Sequence, residues 1–103
     1  MLLIREIFHC RPGKVRPMVE KFLAMAKLNE NAGFGKVRVM TDFCGDRYWT
    51  VISEFEVPSL QAFEEMMQGK GMSEETTKEF EKIMAGYHDL LDHGRREIYR
   101  IEG

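Results

Sequence analysis

No apolar run in this 103-residue chain approaches the roughly 20 residues that a membrane-spanning helix needs. Met1 to Ile4 meets Arg5 and Glu6 at once, which is too short a stretch for a signal peptide, so a cytoplasmic protein with no membrane partner is expected. Neither sign of charge dominates. Fifteen Lys and Arg stand against 17 Asp and Glu for a net charge of −2, and the bases are scattered, which argues against a nucleic-acid partner. Cysteine is scarce: Cys10 and Cys44 lie outside any CxxC pattern at expected strand ends and read as reduced core residues. Only three histidines are present. His88 and Asp92, like Asp89 and His93, are four apart on an expected helix, but no HExxH accompanies them, so helix capping is expected and no metal. Gly33-Phe34-Gly35 follows a helical pattern and precedes a strand, the wrong order for a dinucleotide loop, and no cofactor is expected.

What the chain does have is alternation. Arg47 to Glu56, RYWTVISEFE, is rich in aromatic and β-branched residues and is expected to be a central strand. Its face of Trp49, Val51, Ser53 and Phe55 should meet helices, with Trp49 in the core, while Tyr48, Thr50, Ile52 and Glu54 form a mixed face. Leu2 to Cys10 reads as a first strand whose two faces both carry charge, so its inward side stays open. From Lys14 to about Asn31, Val15, Met18, Val19, Phe22 and Ala26 recur at helical spacing, with Pro17 in the first turn. Lys36 to Cys44 alternates as a strand, and Gly45-Asp46 is expected to turn tightly into the central strand. Ser59 and Ser73 are expected N-caps of two helical pieces separated at Gly69-Lys70-Gly71, the second running through Phe80, Ile83, Met84, Tyr87 and Leu91 and stopping at Gly94. Arg95 to Ile101 reads as a last strand. Residues 1–103 then form one α+β domain of order βαββαβ, a ferredoxin-like split βαβ fold with a four-stranded antiparallel sheet.

The run Ile4-Arg5-Glu6-Ile7-Phe8-His9-Cys10-Arg11-Pro12-Gly13-Lys14 resembles the opening of the NIPSNAP-like and antibiotic-biosynthesis-monooxygenase-like families. Ser53-Glu54-Phe55-Glu56 with Ser59-Leu60-Gln61-Ala62-Phe63 resembles their third strand and second helix. The resemblance implies a dimeric α+β barrel, in which two sheets pack face to face across a two-fold axis around small-molecule cavities. It implies a homodimer that binds or transforms a small aromatic or polyketide-like molecule, in the manner of the cofactor-free monooxygenases. The alternative is a non-catalytic dimeric or partner-binding module.

Within such a barrel Glu54 is the leading candidate for catalysis, since partial burial would raise its pKa toward that of a useful general base. The competing expectation is a structural ion pair with Arg5 or Arg38. Arg5, Arg38, Asp42, Tyr48, Ile52 and Tyr99 are expected to line the ligand site. His9 becomes a base or ligand anchor if the Arg5 side of the first strand is the one facing the cavity.

Overall fold

The computed structural model describes residues 1–103, and its sheet is built outward from the first strand. Strand β1 (Leu2–Cys10) is hydrogen-bonded on both sides, antiparallel to β3 (Thr50–Val57) and to β4 (Leu91–Arg100). Strand β2 (Val37–Thr41) pairs antiparallel with the other side of β3, so the order is β2-β3-β1-β4, as in a ferredoxin-like fold.

The open question about β1 is answered by packing. Phe8 and Cys10 meet Met18, Val19 and Phe22 of helix α1 (Val15–Asn31), and Ile4 meets Phe63 of helix α2 (Leu60–Met67). The helices therefore cover the side of Ile4, Glu6, Phe8 and Cys10. Leu3, Arg5, Ile7 and His9 are left on the opposite, open side. On β3 the helix side is Val51, Ser53, Phe55 and Val57, as the alternation predicts.

Helix α1 has no side-chain N-cap, and it ends where Gly33, at φ 85°, lets Phe34 N–H reach back to Asn29 O at 2.9 Å. Ser59 and Ser73 do cap α2 and helix α3 (Glu74–Met84), accepting from Ala62 N and Thr76 N at 3.1 Å each. Lys21 of α1 donates to the carbonyls of Ile83 and Ala85, which ties α1 to the end of α3. That end comes early. Gly86, at φ 78°, breaks the helix, a 3-10 turn (Tyr87–Leu90) follows, and β4 begins at Leu91 rather than Arg95. His88 and Asp92 consequently share no helix face. Gly94 lies inside the strand instead of ending a helix, and the position suits glycine because a Cβ there would stand 2.7 Å from the Phe8 ring.

The β2–β3 connection also differs from expectation. In place of a tight turn at Gly45-Asp46 there is a loop over residues 42–49, closed at its base by Asp42 N–H to Thr50 O (3.2 Å) and Thr50 N–H to Asp42 Oδ1 (2.8 Å). Arg47, Tyr48 and Trp49 belong to that loop and not to the strand. Trp49 has φ 62° and is 42% exposed, so it is not a core residue, and Cys44 is exposed beside the fully exposed Phe43. An aspartate that satisfies both strands' ends substitutes for turn chemistry that the sequence led one to place three residues later.

Candidate open-face binding site

The open side of the sheet gathers side chains from all four strands. Cross-strand register sets Arg38, Glu54, Arg5 and Glu97 in one row across β2, β3, β1 and β4. Glu54 is only 5% exposed, and both of its oxygens are used. Arg5 Nε donates to Oε1 at 2.7 Å and Arg38 Nη2 to Oε2 at 2.8 Å. Burial pushes this carboxyl up, but hydrogen bonds and charge from Arg5 and Arg38 together outweigh it and hold it below the usual carboxylate range. The expected rise in its pKa is overturned. A carboxylate saturated by two guanidiniums is a weak base, and the ion-pair expectation describes it instead.

The row continues outward. Glu97 accepts from Tyr99 O–H at 2.6 Å and from Arg95 Nε at 3.1 Å, while the Arg5 guanidinium lies 5.3 Å from the Tyr99 ring centre. The Tyr99 bond first, then Arg95, lowers the Glu97 carboxyl, and the same bond raises the Tyr99 hydroxyl. Next along the strands come Ile7, Ile52 and Met40, an apolar row.

Beyond it lies a third row of His9, Thr50 and His93. His9 is 5% exposed, and its ring nitrogens are both engaged, Nδ1 with Thr50 Oγ1 and Nε2 with Arg95 Nη1, each at 3.1 Å. Arg95 can only donate, so Nε2 must accept and the ring proton sits on Nδ1. Thr50 Oγ1 passes the chain on to Arg47 O at 3.0 Å. The His93 ring lies 4.7 Å from that of His9, and its Nε2 accepts from Arg47 Nη1 at 3.2 Å. Burial first, then the charges of His93, Arg47 and Arg95, lower the His9 pKa, with Asp46 opposing.

Of the residues expected to line the site, Arg5, Arg38, Ile52, Glu54, His9 and Tyr99 share this face. Tyr48 does not: it is 84% exposed in the loop. Asp42 spends its carboxylate on Thr50 N–H, and Asp42 and Tyr48 line a separate hollow of about 260 Å³ with Val15, Arg16, Thr41 and Trp49. A larger hollow of about 480 Å³ lies at the outer edge of β4, between the 3-10 turn and Glu6. Arg47, His93, Arg95 and Glu97 were not among the expected site residues. For Glu97 the signal was present, since it alternates with Tyr99. No group of three His, Cys, Asp or Glu side chains converges as a metal site would require.

No protein-family profile matches the sequence, and no curated protein matches it. Solved structures do. An uncharacterized NIPSNAP-like domain protein from Burkholderia xenovorans aligns over 98% of this chain and 84% of its own, with 13% identity and a TM-score of 0.73. A NIPSNAP family protein from Agrobacterium tumefaciens aligns over 98% and 92%, with 13% identity and a TM-score of 0.74. The fold is NIPSNAP-like. A Pseudomonas aeruginosa protein aligns over 98% of this chain and 94% of its own, with 12% identity and a TM-score of 0.65. At such identities the NIPSNAP likeness extends to the path of the backbone and not to the site.

Proposed function

We propose that a second copy of the chain covers the open face and that the space between the two sheets binds a small aromatic or polyketide-like molecule. The observation that carries this reading is the face itself: guanidiniums, carboxylates and a tyrosine ordered around the part-exposed Ile52 and Met40 and the buried Ile7 of the same row, with no helix over them. Such a surface offers an apolar bed for a ring system and directional donors at its margins.

Binding is favoured over transformation. Glu54 has no free lone pair of useful basicity, and the accepting nitrogen of His9 is occupied by Arg95. Glu54 acts best as the fixed anion that aims Arg5 and Arg38. A monooxygenase-like reaction would need another residue, or the substrate, to supply the base.

The second reading, a partner-binding module without a ligand, draws on Phe43, Tyr48 and Trp49, which stand exposed together on the 42–49 loop. Native mass spectrometry of the purified protein separates the two. A dimer that carries additional small-molecule mass, released on denaturation, is the expected result. A ligand-free chain that gains no mass from a panel of aromatic acids and phenols would favour the second reading.

A further inference from the structure

The arginines at the His9 end of the open face make an unusual use of their donors. Arg47 and Arg95 each direct an Nη donor at an imidazole nitrogen, a neutral acceptor, although guanidinium forks match carboxylate and phosphate far better. Arg95 has one carboxylate partner, Glu97 at 3.1 Å, and this is shared with Tyr99 and faced by Arg5. Arg47 has only Asp46, 4.0 Å away and largely in water. His93 is half-exposed between them, with Asp92 4.0 Å from its other nitrogen. The groups come from four places that the fold brings together: Arg47 from the loop, His9 from β1, Thr50 from β3, and His93 and Arg95 from β4.

The geometry points to an oxyanion site at this corner, formed by Arg47, His93 and Arg95, that takes the carboxylate or phosphate end of a small ligand. His9 is a positioning residue there. Its Nδ1–H is anchored on Thr50, whose hydroxyl is anchored on Arg47 O, so the chain of bonds fixes the loop carrying Arg47 relative to the strand carrying Arg95. An incoming oxyanion gives a charged acceptor to the guanidinium N–H groups that the imidazoles leave free, and it offsets the mutual repulsion of two guanidiniums held on one histidine pair. The apolar strip of Ile7, Ile52 and Met40 lies next to this corner, so the site supplies a charged end for the ligand of the preceding section. The inference rests on that reading only for the ligand's body, not for its anionic end.

The test uses the intact protein at constant ionic strength, balanced with chloride, and follows the His9 and His93 ring resonances by NMR. Inorganic phosphate, acetate, benzoate and phenol are titrated in turn. Saturable shifts with phosphate or a carboxylate, and none with phenol alone, are expected. Arg47→Gln and Arg95→Gln should each weaken binding about tenfold or more, the worth of one charged hydrogen bond. Arg16→Gln, outside the corner, should not. Arg47 is exposed in the loop, so its variant tests the site even if Arg95→Gln fails to fold. Phosphate tighter than benzoate identifies a phosphorylated ligand, and benzoate tighter than acetate an aromatic acid whose ring lies on the strip. Equal binding of acetate and benzoate upholds the anion site while counting against the ligand body proposed above. Shifts linear in anion concentration, or an Arg47→Gln variant that binds as the wild type does, overturn the site.

Discussion

Glu54 sits where a carboxylate is costly, 5% exposed in the middle of a sheet, and remains the stronger acid because two guanidiniums hold it. Removing its charge should leave Arg5 and Arg38 facing one another. Glu54→Gln is expected to cost about 1–3 kcal/mol at neutral pH, in the range of charged hydrogen bonds, since Arg38 is 71% exposed and water replaces part of the loss. Urea unfolding gives this directly. The pH dependence has a definite sign. A carboxyl lowered in the folded state stabilises above its ordinary value near 4.5, and that stability disappears as the pH falls below it, so the acid limb of the wild type should flatten in Glu54→Gln. His9 adds a second limb at higher pH. Its folded pKa lies below the ordinary 6.5, so the unfolded chain takes up the proton first as pH falls through 6.5, and stability declines from there. Urea midpoints from pH 8 to 5 should show this decline in the wild type and little of it in His9→Gln. A flat profile in both proteins would mean that the ring is not held neutral.

At the scale of elements, β4 is the strand whose pairing depends most on a single missing side chain. The Phe8 ring occupies the place where residue 94 would carry a Cβ, with contacts of 2.7 and 2.9 Å to ring carbons and 3.2 Å to Ile7 O. Gly94→Ala should therefore destabilise by about 1–3 kcal/mol through overpacking, and Phe8→Leu in the same chain should recover part of it. Thermal melts of the two single variants and the double variant complete the cycle. This strand also shows why part of the fold was legible in the sequence and part was not. β3 and α1 advertise themselves through Val51, Val57, Met18 and Phe22, which are buried where their spacing places them, whereas β1 carries charge on both faces and shows its strand but not its inward side. In β4 both faces are polar, with His93, Arg95 and Glu97 alternating against Gly94 and Arg96, so no apolar period marks its start. Tyr87 and Leu91 meanwhile continue the spacing of Phe80, Ile83 and Met84, which extends the apparent helix past the Gly86 break. The candidate site divides the same way. A pairing of Glu54 with Arg5 or Arg38 is legible from their strands, but that one carboxylate holds both guanidiniums depends on cross-strand register, which for Arg38 depends on a loop closed by Asp42, and turn composition at Gly45-Asp46 does not reveal that closure.

At the scale of the whole molecule, the single chain is under-buried. A compact monomer of 12.1 kDa should expose about 6,000 Å², whereas this one exposes 7104 Å² and buries 13 of its 103 residues. Its dimensions, 36 × 36 × 19 Å, are those of a slab with one sheet and one helix layer. The excess of roughly 1,100 Å² is of the order that one partner contributes to a stable interface, about 800 Å². Two surfaces compete for it: the open face, with Tyr99 at 46% exposure, and the helix side, where Leu60 and Met67 are exposed. The open face is favoured because its central row, Arg38, Glu54, Arg5 and Glu97, is already paired within the chain, so that covering that row strands none of its charges, and because Tyr99, Ile52 and Met40 are left part-exposed beside it. Sedimentation velocity at micromolar concentration should accordingly give twice the chain mass. Tyr99→Ala should weaken the association about tenfold, or roughly 1.4 kcal/mol, because nearly half of that ring faces solvent in the single chain and is free to be covered by a partner. Leu60→Ala, on the helix side, serves as the control and should associate as the wild type does. If Leu60→Ala dissociates the protein and Tyr99→Ala does not, the copies meet through their helices, and the guanidinium-lined face is left open to solvent and to whatever anion it binds.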